Sequence, residues 1–343
     1  MTIPYDAVLI VSFGGPEGPD DVLPFLENVL RGKNVPRSRM LEVAEHYQHF
    51  GGVSPLNAQN RALVAALRAE LDAHGPPLPI YWGNRNWHPM LADTLAEMAR
   101  DGVRRALGFF TSAYSSYSGC RQYREDIERA KQIVGPTAPQ VEKLRAFFNH
   151  PGFIGPMTER VAAALLQFPA ENRGKSRVIY TAHSIPSAMA KTASYVAQLE
   201  EAARLVSKNL GVTDYQLAYQ SRSGPPGQPW LEPDIGDALR QLHAEGTTRD
   251  VVVVPIGFLS DHIEIIWDLD TEAQDLANKL GLNMVRAATV GSHPEFVAMI
   301  RERIEERVAG APRRALGKLG PSHDVCPVDC CAYSPQPAAA KSD

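Results

Sequence analysis

The sequence predicts an α/β fold made of two similar, doubly wound, Rossmann-like halves, each around a four-stranded parallel sheet. Three observations carry this. Apolar runs of strand length alternate with amphipathic helical stretches along most of the chain, the pattern of parallel strands joined by helical crossovers. Four such runs precede residue 150 and four follow it. At 343 residues the chain is also long for a single hydrophobic core, so two packed halves are expected.

In order, the expected strands are Ala7–Phe13, Leu78–Gly83, Ala106–Ser112, Val141–Phe147, Arg177–Ala182, Tyr215–Gln220, Val251–Gly257 and Asn283–Ala288. Val251–Val254 reads as a strand buried on both faces. Helices between the runs carry readable punctuation. Ser54-Pro55 reads as an N-cap and first helical residue, Leu63, Leu67 and Leu71 recur at helical spacing, and Gly75 stops the helix. His150-Pro151-Gly152 marks the boundary between an N-terminal half, 1–150, and a C-terminal half, 151–308. From Ala309 the composition turns to Gly, Pro, Ser, Ala and Cys without periodicity, so 309–343 reads as a loosely ordered, cysteine-bearing tail.

Hydrophobic residues make up 44% and charged residues 22%, a globular mix. Thirty-five Lys+Arg against 39 Asp+Glu give a net charge of −4, which excludes a general electrostatic grip on nucleic acid. No apolar run approaches a membrane span, and MTIPYDAVLI lacks the basic-then-apolar build of a secretory leader. A cytoplasmic protein with no nucleic-acid partner and no stable membrane insertion is expected.

Chemistry is sought at the carboxyl ends of the strands, where open parallel sheets bind ligands. The first strand ends in Ser12-Phe13-Gly14-Gly15-Pro16, which lacks the dinucleotide-binding spacing. Its glycines either make a turn, the favoured reading, or let the backbone approach a flat ligand. The fifth strand leads into Thr181-Ala182-His183-Ser184-Ile185-Pro186, leaving His183 at the strand tip. Spacing alone favours a loop histidine bonded to backbone; a neutral imidazole there could also take a proton or bind a divalent metal. After the seventh strand, Glu264, Asp268 and Glu272 stand at i, i+4 and i+8, a ladder of carboxylates on one helix face. Capping and dipole effects account for Asp261 and Glu264 but not for Asp268 or Glu272. Like charges four apart cost stability, so the ladder calls for a cation or a proton. Arg31 and Lys33 are either a solvated face or, with the Ser54 hydroxyl, a grip on ligand carboxylates. Three of the four cysteines crowd into Cys326–Cys331, and a disulfide framework does not suit a cytoplasmic chain.

Five segments together resemble the ferrochelatase family: Ser12-Phe13-Gly14-Gly15-Pro16; Phe50-Gly51-Gly52-Val53-Ser54-Pro55-Leu56; Ala182-His183-Ser184-Ile185-Pro186; Gln220-Ser221 with Pro229-Trp230-Leu231; and Gly257-Phe258 followed by Asp261-His262-Ile263-Glu264. They stand in order and at matching spacing over residues 5 to 305. The resemblance implies insertion of ferrous iron into a porphyrin during heme synthesis, in a porphyrin cleft between the halves. Porphyrin and ferrous iron are the implied partners, alongside other heme-pathway enzymes. Carried over by position, His183 and Glu264 are the catalytic pair at the porphyrin centre, and Asp268 and Glu272 complete the metal-contacting acids. Phe13, Arg31, Lys33, Ser54 and Tyr123 would face the porphyrin or its propionates. Phe13 is a departure, since many bacterial members have tyrosine there and animal members often methionine. A phenyl ring cannot ligate iron, so it can only pack against the macrocycle. No long apolar lip is evident near Phe25–Leu30, so membrane association is not supported.

The Phe13–Gly18 and Gly83–Trp87 variants, with the cysteine-bearing tail, resemble actinobacterial members. That implies coproporphyrin III as substrate and coproheme as product. Alternatives are protoporphyrin IX, a cobalt or nickel chelatase of the same fold, or a non-catalytic porphyrin carrier. A carrier has no use for the acidic ladder, and those chelatases tend to have more histidines than His183 and His262. The cysteine count, Cys120 plus Cys326, Cys330 and Cys331, matches the one-plus-three ligation of a 2Fe–2S cluster in many family members. A helix N-terminus at Cys120 would favour thiolate. A zinc site or a free-thiol tail are the alternatives.

Overall fold

A computed structural model describes residues 3–33, 35–224 and 227–333 of the chain; residues 334–343 of the expected tail lie outside them. Every expected strand is present: β1 Ala7–Ser12, β2 Ile80–Asn84, β3 Arg105–Phe110, β4 Gln140–Lys143, β5 Arg177–His183, β6 Tyr215–Gln220, β7 Asp250–Val254 and β8 Asn283–Arg286. They form two four-stranded sheets, ordered β2-β1-β3-β4 and β6-β5-β7-β8, and every pair is parallel. All of β1 and all of β7 are buried, because crossover helices cover both faces of a parallel sheet. In each half the chain leaves the first strand toward one side and later returns to the other. The order therefore reverses between β1 and β3, and again between β5 and β7, and the crevice beyond such a reversal is where these sheets bind ligands.

Two expected boundaries shift. β4 ends at Lys143, and Leu144–Phe148 leaves the sheet as a buried segment; an apolar run reports burial and not extension. The helix after Ser54-Pro55 spans Leu56–His74 with Pro55 at the cap position. It starts one residue later because the Ser54 hydroxyl accepts the Leu56 N–H at 3.4 Å, an exchange of roles within the usual scatter of helix ends.

The main hydrophobic core belongs to both sheets. Val8, Ile10, Leu107 and Phe109 share one cluster with Val178, Tyr180, Val252 and Val254, closed by Phe153 and Met157 of helix Pro151–Leu165 and by Phe296 and Ile300 of helix Pro294–Val308. That last helix returns to the N-terminal half, where Arg301 donates to Glu70 at 2.8 Å and Arg307 donates to the Tyr5 hydroxyl at 2.7 Å. A smaller cluster, Val22, Phe25, Leu26, Met40 and Ala44, joins helices Val22–Leu30 and Arg37–His49.

Residues 309–333 contain no helix or strand, yet they are pinned, contrary to the loose tail expected. Asn149 Nδ2 donates to the Leu316 and Gly320 carbonyls at 3.0 and 2.9 Å. Arg121 donates to the Val328 and Cys330 carbonyls at 2.9 and 3.3 Å. Such side chain-to-backbone bonds leave no trace in hydrophobic periodicity. Beneath the tail, Arg145 grips Glu306 through two hydrogen bonds of 2.8 Å, with side-chain exposures of 0% and 3%. Glu306→Ala leaves that guanidinium buried without its counter-charge and should cost about 3–5 kcal/mol, read by urea unfolding. A loss under about 1 kcal/mol would mean that Arg145 recovers a partner elsewhere.

Candidate active site

At the tip of β5, His183 Nδ1 lies 2.5 Å from the Ser184 carbonyl oxygen. A carbonyl only accepts, so Nδ1 carries the hydrogen and the lone pair of the neutral ring sits on Nε2. Nε2 faces Glu264 Oε2 at 3.9 Å, with side-chain exposures of 33% and 45%, open enough for a ligand to meet both. Tyr195 fixes the same residue from behind, donating to the His183 carbonyl at 3.0 Å.

Glu264 comes from the neighbouring strand's exit. After β7 the chain turns and enters helix Ile263–Trp267, whose cap is His262: its Nδ1 accepts the Glu264 N–H at 3.2 Å. That bond requires an unprotonated Nδ1, and burial lowers the His262 pKa. From Asp268 to Ala273 the helix widens into a π-helix. The expected regular helix is thus corrected. The wider turn still stacks residues four apart, and π segments recur at functional sites. Asp268 accepts hydrogen bonds from the Ser221 hydroxyl and, at 3.4 Å, from Gln220 Nε2. Ser221 has φ 61, a left-handed backbone that a side chain tolerates only when its surroundings demand it. Burial pushes the Asp268 carboxyl up to about 7, opposed by the Ser221 bond and reinforced by the charges of Glu264 and Glu272. The ladder therefore holds a proton near neutrality, one of the two partners its charge called for.

The N-terminal half meets this site directly. Gln59, on helix Leu56–His74, clamps the Asp261 peptide: its Oε1 accepts Asp261 N–H at 2.9 Å and its Nε2 donates to the Asp261 carbonyl at 3.4 Å. His46 stacks on Trp267 with ring centroids 4.0 Å apart and planes 11° apart. Burial lowers the His46 pKa, against the attraction of Glu272. Phe13 follows β1 and packs edge-on against Phe25 at 6.2 Å. The Arg85 guanidinium covers both Phe13, at 5.7 Å, and Tyr123, at 4.4 Å, and pairs with Asp126. Lys33 is exposed and stands within the fields of Arg85 and Glu264.

The structure gathers Phe13 and Tyr123 around Arg85. Tyr123 is buried against Phe110, with rings 5.1 Å apart. Arg31 is exposed, 2.5 Å from Asn28 Oδ1. Ser54 is buried behind Gly15, where a Cβ would approach the Ser54 Cβ to 2.7 Å. At Gly14, with φ 84, a Cβ would lie 2.9 Å from that of Asn84. The glycine pair thus serves the turn and close chain packing.

The four cysteines converge from two distant segments, Cys120 from the N-terminal half and the other three from the tail. Cys120 lies in the π-turn Tyr117–Arg121 that opens helix Gln122–Val134. Hydrogen bonding to Cys326, then burial, raises its pKa, against the pull of Lys143. The same bond, with Lys143 nearby, brings the Cys326 pKa down to about 6. Cys330 Sγ is 3.8 Å from Cys331 Sγ and 3.6 Å from His323 Nε2. Cys331 has φ 54, a left-handed turn that brings two consecutive thiols together. His323, Cys326 and Cys330 can jointly hold a metal ion, with donor atoms within 4.8 Å of one another. A groove of about 610 Å³ runs beside them, lined by Arg121, Arg124, Lys143, Arg307, Asp324 and Cys326.

The profile of the ferrochelatase family matches residues 5–308. This chain belongs to the ferrochelatase family. It is 57% identical to the ferrochelatase of Rhodopirellula baltica, over 97% of this chain and 95% of that one. It is 52% identical to the coproporphyrin III ferrochelatase of Nocardia farcinica, over 98% and 99%. The coproporphyrin III ferrochelatase of Streptomyces griseus is 51% identical, over 99% and 97%. Among solved structures, SirB from Bacillus subtilis with Fe3+ aligns at a TM-score of 0.55 and 13% identity, over 89% of this chain and 96% of that one, a likeness of fold. No helix among the described residues is long and apolar enough to cross a membrane.

Some residues of this ferrochelatase site escaped sequence reasoning. Arg85 and Ser221 lie in segments whose motif was visible but whose side-chain role was not. Gln59 and Tyr195 sit among helical residues with no distinguishing signal, and only tertiary contact reveals them. The raised Asp268 pKa has a consequence for stability. The folded state binds a proton between the unfolded value, near 3.9, and about 7, so wild-type stability falls as pH rises through that window. Asp268→Asn should remove this slope, gaining on wild type by roughly 1 kcal/mol per pH unit between pH 4 and 7. Denaturant titrations at several pH values check it; parallel curves for the two proteins would contradict it.

Proposed function

We propose that this chain inserts ferrous iron into coproporphyrin III, forming coproheme and releasing two protons. The observation that carries the reading is the His183–Glu264 pair, an imidazole lone pair facing a carboxylate across 3.9 Å at the sheet's ligand-binding edge. Behind it stands an acid poised near neutrality. The names of the Nocardia and Streptomyces relatives support the choice of porphyrin.

In the proposed mechanism, contacts around the ring's rim bend it and expose pyrrole nitrogens to the metal. Arg31 and Lys33, both exposed, supply positive charge for propionates, and Phe13 packs on the macrocycle with Arg85, paired to Asp126, behind it. Each pyrrole N–H bond breaks with its electron pair left on nitrogen, which then binds iron. The proton passes to His183 Nε2, on to Glu264, and out along Asp268 and Glu272. Iron stays ferrous, and charge balances as two protons leave for one divalent cation. Ser221, Gln220 and Tyr195 are positioning residues that hold Asp268 and His183.

The same proposal gives Cys120, Cys326, Cys330 and Cys331 to a 2Fe–2S cluster. The fit rests on four sulfurs brought together from two segments and on their setting. A cluster with four thiolates is a net dianion, and Lys143, Arg124 and Arg121 surround it. When bound, such a cluster supplies one-electron capacity and a cross-link between the tail and the N-terminal half. The His323, Cys326, Cys330 grouping favours zinc as the second reading.

His183→Ala should lower turnover at least ~100-fold while porphyrin still binds, as seen by anaerobic insertion assays beside fluorescence quenching. Glu264→Gln should lose more than Asp268→Asn; equal mild losses would reduce Glu264 to a helix-start acid. Coproporphyrin III should be turned over faster than protoporphyrin IX, and the reverse preference would reassign the substrate. Anaerobically purified protein should be red-brown, with iron and sulfide at about two each per chain, and Cys120→Ser should bleach it. A colourless, zinc-bearing protein would remove the cluster.

A further inference from the structure

Lys143 makes an unusual choice of partner. It is the last residue of β4, and its Nζ lies 2.8 Å from Cys120 Sγ and 6.0 Å from the Phe110 ring centre. Other cations along the same groove take carboxylates: Arg121 pairs with Glu125, Arg129 with Asp126, and Arg307 with Glu142. Glu142 is adjacent in sequence, but successive strand residues point to opposite faces, and its carboxylate is taken by Tyr5, Arg105 and Arg307. Among the described residues no carboxylate pairs with Lys143. A neutral thiol is a weak acceptor for an ammonium group, whereas a metal-bound thiolate is a strong one.

We propose that Lys143 is the charge partner of the cluster, donating to Cys120 Sγ and raising the cluster's reduction potential. The proposal rests on the reading that the four cysteines hold a 2Fe–2S cluster. Cys120 is the one ligand supplied by the N-terminal half and is 3% exposed, so its sulfur has little access to water. One-electron reduction adds negative charge to an already dianionic centre. A fixed ammonium at hydrogen-bond distance from a ligand sulfur stabilises that reduced form more than the oxidised one, since hydrogen bonds to the sulfurs and net charge set such potentials. Because β4 fixes the lysine backbone, the donor is in place before the cluster arrives.

The test uses full-length protein purified anaerobically as wild type, Lys143→Met and Lys143→Arg, read by iron and sulfide content, visible absorption and spectroelectrochemical titration. At a fixed potential the reduced-to-oxidised ratio in Lys143→Met should fall about tenfold, equivalent to 59 mV for one electron, while Lys143→Arg stays within about threefold of wild type. Should Lys143→Met fold, by circular dichroism, but hold under half the wild-type iron, restoration by Lys143→Arg supports the same role. In that case Lys143→Gln, which keeps an N–H donor without the charge, carries the potential measurement. Unshifted titration of Lys143→Met, or equal shifts in Met and Arg variants, overturns the proposal. A colourless wild type overturns it together with the cluster, and is told apart because the failure then precedes any substitution.

Discussion

Both sheets are wholly parallel, and from that constraint the rest of the molecule follows. Parallel strands deliver all their carboxyl ends to one edge, so the loops that carry chemistry are gathered before any ligand binds. Strand reversal between β5 and β7 leaves a crevice there, and His183 and Glu264 occupy its two walls. The N-terminal half repeats the arrangement, with Phe13 beyond β1. Because both sheets share one apolar cluster, the two edges are held against each other by the core itself. The Gln59–Asp261 clamp and the His46–Trp267 stack then complete contacts whose approximate position the sheets have already set.

Two fields of opposite sign follow from how charges are buried. Around Glu264, Asp268 and Glu272, acids are stacked with hydroxyl and amide donors, and the strain is relieved by protonation at Asp268. That arrangement suits a divalent cation arriving as protons depart. Around the cysteines the field is positive, made by Lys143, Arg121 and Arg124, and suits an anionic centre. The first region stands at the ends of β5 and β7, the second at the end of the edge strand β4. The 227–231 segment touches both: the Gln228 side-chain amide donates to the Tyr333 hydroxyl at 3.3 Å, and the Leu231 backbone N–H donates to the Ile185 carbonyl at 3.0 Å, two residues beyond His183.

Much of this was legible in the sequence, for identifiable reasons. Strands such as Val251–Val254 announce themselves because burial on both faces leaves no polar alternation. His183 was visible as a strand-tip residue, and the acid ladder as a spacing that costs energy without a partner. What escaped was whatever depends on backbone detail or on distant segments. Nothing in Asp268–Ala273 distinguishes a π-helix from an α-helix. The left-handed turn at Cys331, which lets adjacent thiols face one centre, is unusual for a side-chain-bearing residue and so is not expected from composition. Leu144–Phe148 misled in the opposite direction, since apolar character marks a buried place without saying what shape the chain takes there.

The bond between Arg307 and the Tyr5 hydroxyl at 2.7 Å joins residues from opposite ends of the family-matched span. The inner face of the first sheet is finished only by helix Pro294–Val308, the last regular element among the described residues. Throughout synthesis, therefore, Val8, Ile10, Leu107 and Phe109 wait without their final cover, and the nascent N-terminal half carries exposed apolar surface until the chain is nearly complete. Completion of the first sheet's inner face is thus tied to the last quarter of the matched span, and the two halves share one fate in the core.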